Sequence, residues 1–136
     1  MYRLALTLVL VLSTAAAAVQ QRKDTAISSG WVKLPAAGAT ETAAYLVIDN
    51  PTQYDVFLQK ASSDVAGAVE FRAAGKPEPL TFVTVPAYES LEMDEKGTYL
   101  VLRDLKKPLT EDATVPISVT TGPGAPLTVQ ATVKKQ

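Results

Sequence analysis

Histidine and cysteine are both missing from all 136 residues, and methionine occurs only at Met1 and Met93. These gaps exclude most site chemistry at once. Without cysteine there is no disulfide framework, no thiolate nucleophile and no thiolate metal ligand. Without histidine nothing of the usual kind activates a serine or threonine, and no imidazole can hold zinc or copper. A domain of this size does not need disulfides to fold. No cysteine stands near the end of the N-terminal apolar run, so the sequence predicts no lipoprotein anchor there. Charge of one sign is also lacking: 13 basic residues face 14 acidic ones, for a net charge of −1. Nucleic-acid binding by a basic stripe is therefore not expected. Nor is there a Lys/Arg-rich amphipathic helix that would lie on a membrane.

Met1-Tyr2-Arg3 gives a short positive start, Leu4–Leu12 is mostly apolar, and Ala15–Ala18 offers small residues for cleavage. Residues 1–18 are thus predicted to be a secretory signal peptide cleaved after Ala18. The alternative, an uncleaved anchor, requires a longer apolar run than this one. No second such run follows, so no membrane insertion is expected after cleavage. Residues 19–136 are read as one domain, starting with a polar segment that includes Gln20, Gln21, Arg22, Lys23 and Asp24. Loss of Arg3 leaves 12 basic residues (13 − 1) against 14 acidic ones.

What the mature sequence does contain is a series of short runs rich in Val, Ile, Leu, Thr, Tyr and Phe. The runs are Ile27–Leu34, Thr42–Asp49, Tyr54–Ser62, Ala66–Ala73, Leu80–Val85, Ser90–Met93, Tyr99–Leu105, Thr114–Thr121 and Leu127–Val133. Between them stand Asn50-Pro51, Gly75-Lys76-Pro77-Glu78-Pro79, Asp94-Glu95-Lys96-Gly97 and Gly122-Pro123-Gly124, all of them turn chemistry. No segment after the signal shows a sustained helical period. The expectation is an all-β Greek-key sandwich of about nine strands. Alternation in Tyr54–Ser62 and Thr114–Val119 implies one buried and one wet face. Trp31, Tyr45, Phe57 and Phe71 are the expected large core residues.

Enzymatic chemistry finds no support. Asp94-Glu95 and Glu111-Asp112 are neighbours in turns, where carboxylates do not converge on a substrate as a general acid and base must. Neither loop offers enough oxygen ligands for Ca²⁺. Lys106-Lys107-Pro108 reads as a solvated loop end.

Three segments carry a resemblance. They are Gly30-Trp31-Val32 with Thr42–Asn50, then Ala61–Glu70, then Gly97–Leu109 continuing through Glu111–Pro116. In order and spacing they resemble the PCuAC family of periplasmic copper chaperones across almost the whole mature chain. The resemblance implies a cupredoxin-like fold, a periplasmic location and a His/Met site for copper. Thioether and imidazole are soft enough to hold Cu(I). Carried over position by position, the first His falls on Arg72, a Met falls near Pro77, the second His falls on Tyr99 and its partner Met on Val101. Each expected ligand is replaced. Met93, the sole methionine of the mature chain, cannot make a soft site alone.

The expected function is therefore that of an exported accessory protein on the chaperone scaffold. It would bind a protein partner, in copper-enzyme assembly for example, without a cofactor and without holding copper itself. Glu70, Arg72, Tyr99 and Arg103 form the candidate interaction surface, since Glu70 and Arg72 share one strand face. An Arg72–Tyr99 cation–π pair is one expectation there. The alternative function is copper carriage at the new amino terminus, Val19-Gln20-Gln21, or through ligands shared with a partner.

Overall fold

The computed structural model describes residues 24–122 and 126–135. The predicted signal peptide, the boundary after Ala18 and the segment up to Lys23 lie outside the described residues. So do Pro123 and Gly124 of the last predicted turn.

Nine strands follow one another: β1 (Ala26–Lys33), β2 (Thr42–Asp49), β3 (Val56–Ser62), β4 (Ala66–Ala73), β5 (Val83–Val85), β6 (Ser90–Glu92), β7 (Thr98–Leu105), β8 (Thr114–Gly122) and β9 (Leu127–Lys134). Each overlaps one of the nine apolar runs, although β5 takes only the second half of Leu80–Val85 and β3 starts at Val56, not Tyr54. The runs are separated by residues that favour turns over strand pairing, so the strand ends are set locally. The neighbours run β1-β9-β8-β3-β4-β7-β2, and β2 pairs back onto β1. Seven strands thereby close into a barrel, which leaves no open edge on that path. The β1–β9 pairing is parallel and the β1–β2 pairing antiparallel.

One end of the barrel is assembled from shared strands. β3 pairs with β5 at Val56–Leu58 and with β4 only at Ala61. β2 pairs with β6 at Val47–Asp49 and with β7 at Thr42–Ala44. Asn50, 2 % exposed, ties this end together. Its Nδ2 donates to the carbonyls of Tyr54 (2.7 Å), Val85 (3.0 Å) and Pro86 (3.1 Å). Its Oδ1 accepts from the hydroxyls of Thr25 and Thr52 and from the Thr52 amide. The Asn50-Pro51 turn is thus also a buried polar joint, with both ends of its side chain satisfied.

The core follows the two-residue period of strands. Ala44, Leu46 and Ile48 of β2, Leu100 and Leu102 of β7, and Val115, Ile117 and Val119 of β8 are fully buried. Each Leu, Ile or Val removed from water contributes about 1.5–3 kcal/mol. On β3 the period is interrupted by a register shift against β8 between Leu58 and Lys60. The bulge inserts Gln59, so Leu58 is buried while Lys60 stays exposed and Ala61 returns inward. With every residue kept in plain alternation, Lys60 would share the face of Leu58.

Phe71 and Tyr45 are buried and Trp31 is half-buried, but Phe57 is 42 % exposed and does not belong to the core. Leu58 takes the inward position on β3, which turns Phe57 outward against Phe82, ring centroids 5.9 Å apart.

Candidate functional site

Strand parity decides which side chains meet on the outside of the barrel. On β7 the inward residues are Leu100 and Leu102, so Tyr99, Val101 and Arg103 face outward. On β4 Phe71 is buried, and Glu70 and Arg72 flank it on the outer side. The β4–β7 register sets Arg72 opposite Tyr99, Glu70 opposite Val101 and Ala68 opposite Arg103. All four candidate surface residues therefore occupy one sheet face.

Glu70 joins the two arginines. Its Oε2 accepts from Arg72 Nε (3.1 Å) and Nη2 (2.8 Å), and its Oε1 accepts from Arg103 Nη1 (3.0 Å). The hydrogen bond from Arg72, followed by that from Arg103, holds the Glu70 carboxyl below its ordinary carboxylate value. The reverse side of the same contact raises Arg103 above its usual value. Arg72 also donates from Nη1 to the Pro77 carbonyl at 2.6 Å. Its donors thus go to Glu70 and the Pro77 carbonyl, not to the Tyr99 ring as the expected cation–π pair would have it.

The four positions to which the copper ligands of the resembled family were carried do converge. Arg72 pairs with Tyr99 across the ladder, its guanidinium touches Pro77, and Val101 lies beside Glu70. Convergence is a tertiary fact here, because Arg72 and Tyr99 are far apart in the chain. The side chains at these positions are a guanidinium, a pyrrolidine ring, a phenol and an isopropyl group. They do not fit a soft metal ion. Among the described residues, no group of three or more His, Cys, Asp or Glu side chains is placed to hold a metal.

An aromatic row, not anticipated from the sequence, continues this site across the sheet. Trp31 pairs with Tyr45, their ring centroids 4.7 Å apart and tilted by 32°. Tyr45 meets Tyr99 at 6.3 Å. Trp31, Tyr45, Tyr99 and Arg72 thus form one line over β1, β2, β7 and β4. Tyr45 is buried from the outer side, since Ala44 and Leu46 take the inward positions. The signal was available: Tyr45 lies out of phase with the apolar Ala44, Leu46 and Ile48. A notch beside the Trp31–Tyr45 pair is lined by Trp31, Tyr45, Met93, Asp94 and Glu95. Burial, with smaller contributions from the charges of Glu95, Tyr99 and Asp94, raises the Tyr45 hydroxyl above its usual value. Met93 is 6 % exposed.

Several solved structures share this architecture. The copper-bound PCuAC domain from PmoF2 is 18 % identical with a TM-score of 0.75, covering 84 % of this chain and 95 % of that one. The apo PCuAC domain from PmoF1 is 17 % identical with a TM-score of 0.76, covering 84 % and 96 %. The solution structure of CuI-DR1885 from Deinococcus radiodurans is 26 % identical with a TM-score of 0.74, covering 90 % of this chain and 86 % of that one. These likenesses bear out the expected cupredoxin-like fold and its relation to copper chaperones. No curated relative matches the chain. The family model described as "Putative lipoprotein LpqE-like" matches residues 25–133, which is nearly all of the described chain. The protein therefore belongs to the LpqE-like family, built on a PCuAC-type fold.

Proposed function

We propose that this protein is an exported accessory protein that uses the PCuAC scaffold to bind a protein partner and does not hold copper through its own side chains. The observation that carries this reading is the guanidinium of Arg72 at the centre of the converged positions. A permanently charged group stands where a metal ligand is expected, and it is fixed by Glu70 and the Pro77 carbonyl. A copper ion there would meet a cation and no thioether or imidazole. What remains is a sheet face with a satisfied Arg–Glu–Arg cluster and a row of aromatic rings. Aromatic residues and arginine are the types that dominate protein–protein contacts. We place the protein in the periplasm, in keeping with the signal-like N-terminus; the family description "Putative lipoprotein LpqE-like" supports export, while this sequence has no cysteine to carry a lipid. Copper-enzyme assembly is the setting that the copper-bound relatives suggest. The site's residues give no reason to assign an enzymatic activity.

Competition for Cu(I) and Cu(II) against a chromogenic chelator, with residues 19–136, tests the reading. The chelator is expected to keep both ions. Stoichiometric capture by the protein would overturn it.

A further inference from the structure

We propose that the groove where β3 parts from β4 receives a segment of the partner protein, with an apolar side chain against Phe57 and Phe82 and a carboxylate at Lys60. This deepens the reading given above and rests on it, since it names the partner chemistry that one part of the barrel surface accepts.

Exposed large apolar side chains are usually scattered singly over a surface, but here they are gathered. Among the described residues they are Tyr54, Phe57, Phe82 and Tyr88. All four lie in or close to β3 and β5, which pair at Val56–Val85, Phe57–Thr84 and Leu58–Val83. Phe57 and Phe82 meet edge to face, their ring planes at 75°. Beside them opens a cavity of about 390 Å³, completed by Gln59, Lys60 and Thr81. Every one of these five residues is exposed, so the site is open to a partner.

The topology makes the groove. β5 takes the first half of β3, and β4 reaches β3 only at Ala61. A second cavity of about 220 Å³ lies in the seam left between them, with Gln59 and Lys60 on one side and Glu70 and Leu80 on the other. Gln59 and Lys60 line both cavities. The groove is therefore continuous with the Glu70 cluster of the proposed contact face.

Charge selects the occupant. Lys60 is the one charged residue lining the aromatic cavity, and among the described residues it makes no ion pair. At the other end, two arginines, Arg72 and Arg103, face the single carboxylate of Glu70. An acidic side chain next to an apolar one suits both parts. The rings take the apolar group out of water, and Lys60 attracts the carboxylate. A basic segment would be repelled at both places. An anionic lipid surface fits less well, because it would cover the whole corner, where Asp55, Glu78 and Glu89 accompany the rings.

Capped octapeptides with leucine followed by glutamate, glutamine or lysine, flanked by glycines, can be titrated into isotope-labelled residues 19–136. The glutamate peptide is expected to shift the backbone amide signals of residues 57–60 and 81–82 saturably. It should bind about threefold more tightly than the glutamine peptide, and the lysine peptide should bind weakest. Lys60→Glu should reverse that order, which a merely apolar patch would not do. Phe82→Ser, at an exposed position, should abolish the shifts with all three. Equal affinity for the three peptides, an unchanged order in Lys60→Glu, or binding that survives Phe82→Ser would overturn the assignment. So would dimerisation lost in Phe82→Ser, which would give the groove to a second copy. Cosedimentation with phosphatidylglycerol vesicles, lost in the same variant, would overturn it in favour of lipid. Any of these results with copper still left to the chelator would reject only the groove's occupant. Copper captured by the protein would overturn the accessory-protein reading itself, even where the peptide order holds.

Discussion

Glu70 sets the electrostatics of the outer face, because its carboxylate neutralises one of the two charges that Arg72 and Arg103 bring. Its pKa in the folded protein lies below the ordinary carboxylate value, by the hydrogen bonds from Arg72 and Arg103. Folding therefore favours its ionised form. That contribution is full above the unfolded value of about 4.3 and is lost as pH falls through the folded value. Thermal melts between about pH 6 and about pH 3 should show a steeper loss of Tm in the parent than in Glu70→Gln. Parallel curves would mean that the cluster adds nothing to stability, as many exposed pairs do. Asn50 is the opposite case, buried and neutral. Asn50→Ala removes three donated and three accepted hydrogen bonds at the strand-sharing end of the barrel. The expected cost is about 2–4 kcal/mol in a denaturant titration, since the carbonyls of Val85 and Pro86 lose the Asn50 donor.

Among elements, β1 and β8 show how the same substitution has different costs. A Cβ on Gly30 would lie 2.7 Å from Leu46 Cδ2, and Leu46 is fully buried. Gly30→Ala should therefore cost about 1–3 kcal/mol through overpacking between β1 and β2. A Cβ on Gly122 would meet the Gln59 amide at 2.4 Å, yet Gln59 is exposed and its side chain can swing away. Gly122→Ala should stay within about 0.5 kcal/mol of the parent. Chemical denaturation of both variants separates the two cases. The Gln59 bulge adds one unpaired residue to β3 against β8, and the inward positions Leu58 and Ala61 lie on either side of it. Deletion of Gln59 leaves Leu58 inward, Lys60 outward and Ala61 inward in plain alternation, so the variant is expected to keep cooperative unfolding in a denaturant titration.

At the scale of the whole molecule, the closed barrel holds the outer face rigid whatever side chains it carries. Seven strands in a ring, with the core behind them, fix the spacing between β4 and β7 independently of Arg72 and Tyr99. The scaffold should then accept the lost chemistry back. The variant R72H/P77M/Y99H/V101M is expected to bind Cu(I) more tightly than the parent, measured by the same chelator competition. Failure of a folded variant to bind would show that these four positions do not converge closely enough to coordinate an ion.

The strand order of apolar runs and turns was fully legible in the sequence, since each strand end is written in local Gly, Pro, Asn and Asp chemistry. The absence of histidine and cysteine was readable there too, because inventory needs no geometry. The shared outer face of Glu70 and Arg72 was likewise readable, as a two-residue spacing on one strand. Pairing between distant strands was not. Only the β4–β7 register could show that Arg72 meets Tyr99, and only side-chain placement could send the guanidinium to Glu70 and Pro77 instead of the ring. Phe57 was misplaced in the core because composition ranks phenylalanine as buried, while strand parity gave the inward position to Leu58. The Trp31–Tyr45–Tyr99 row was missed for the same reason: aromatic residues on three strands form a surface only after the barrel closes. Local chemistry thus determined the elements and excluded the metal ligands, and long-range pairing decided which side chains share a face.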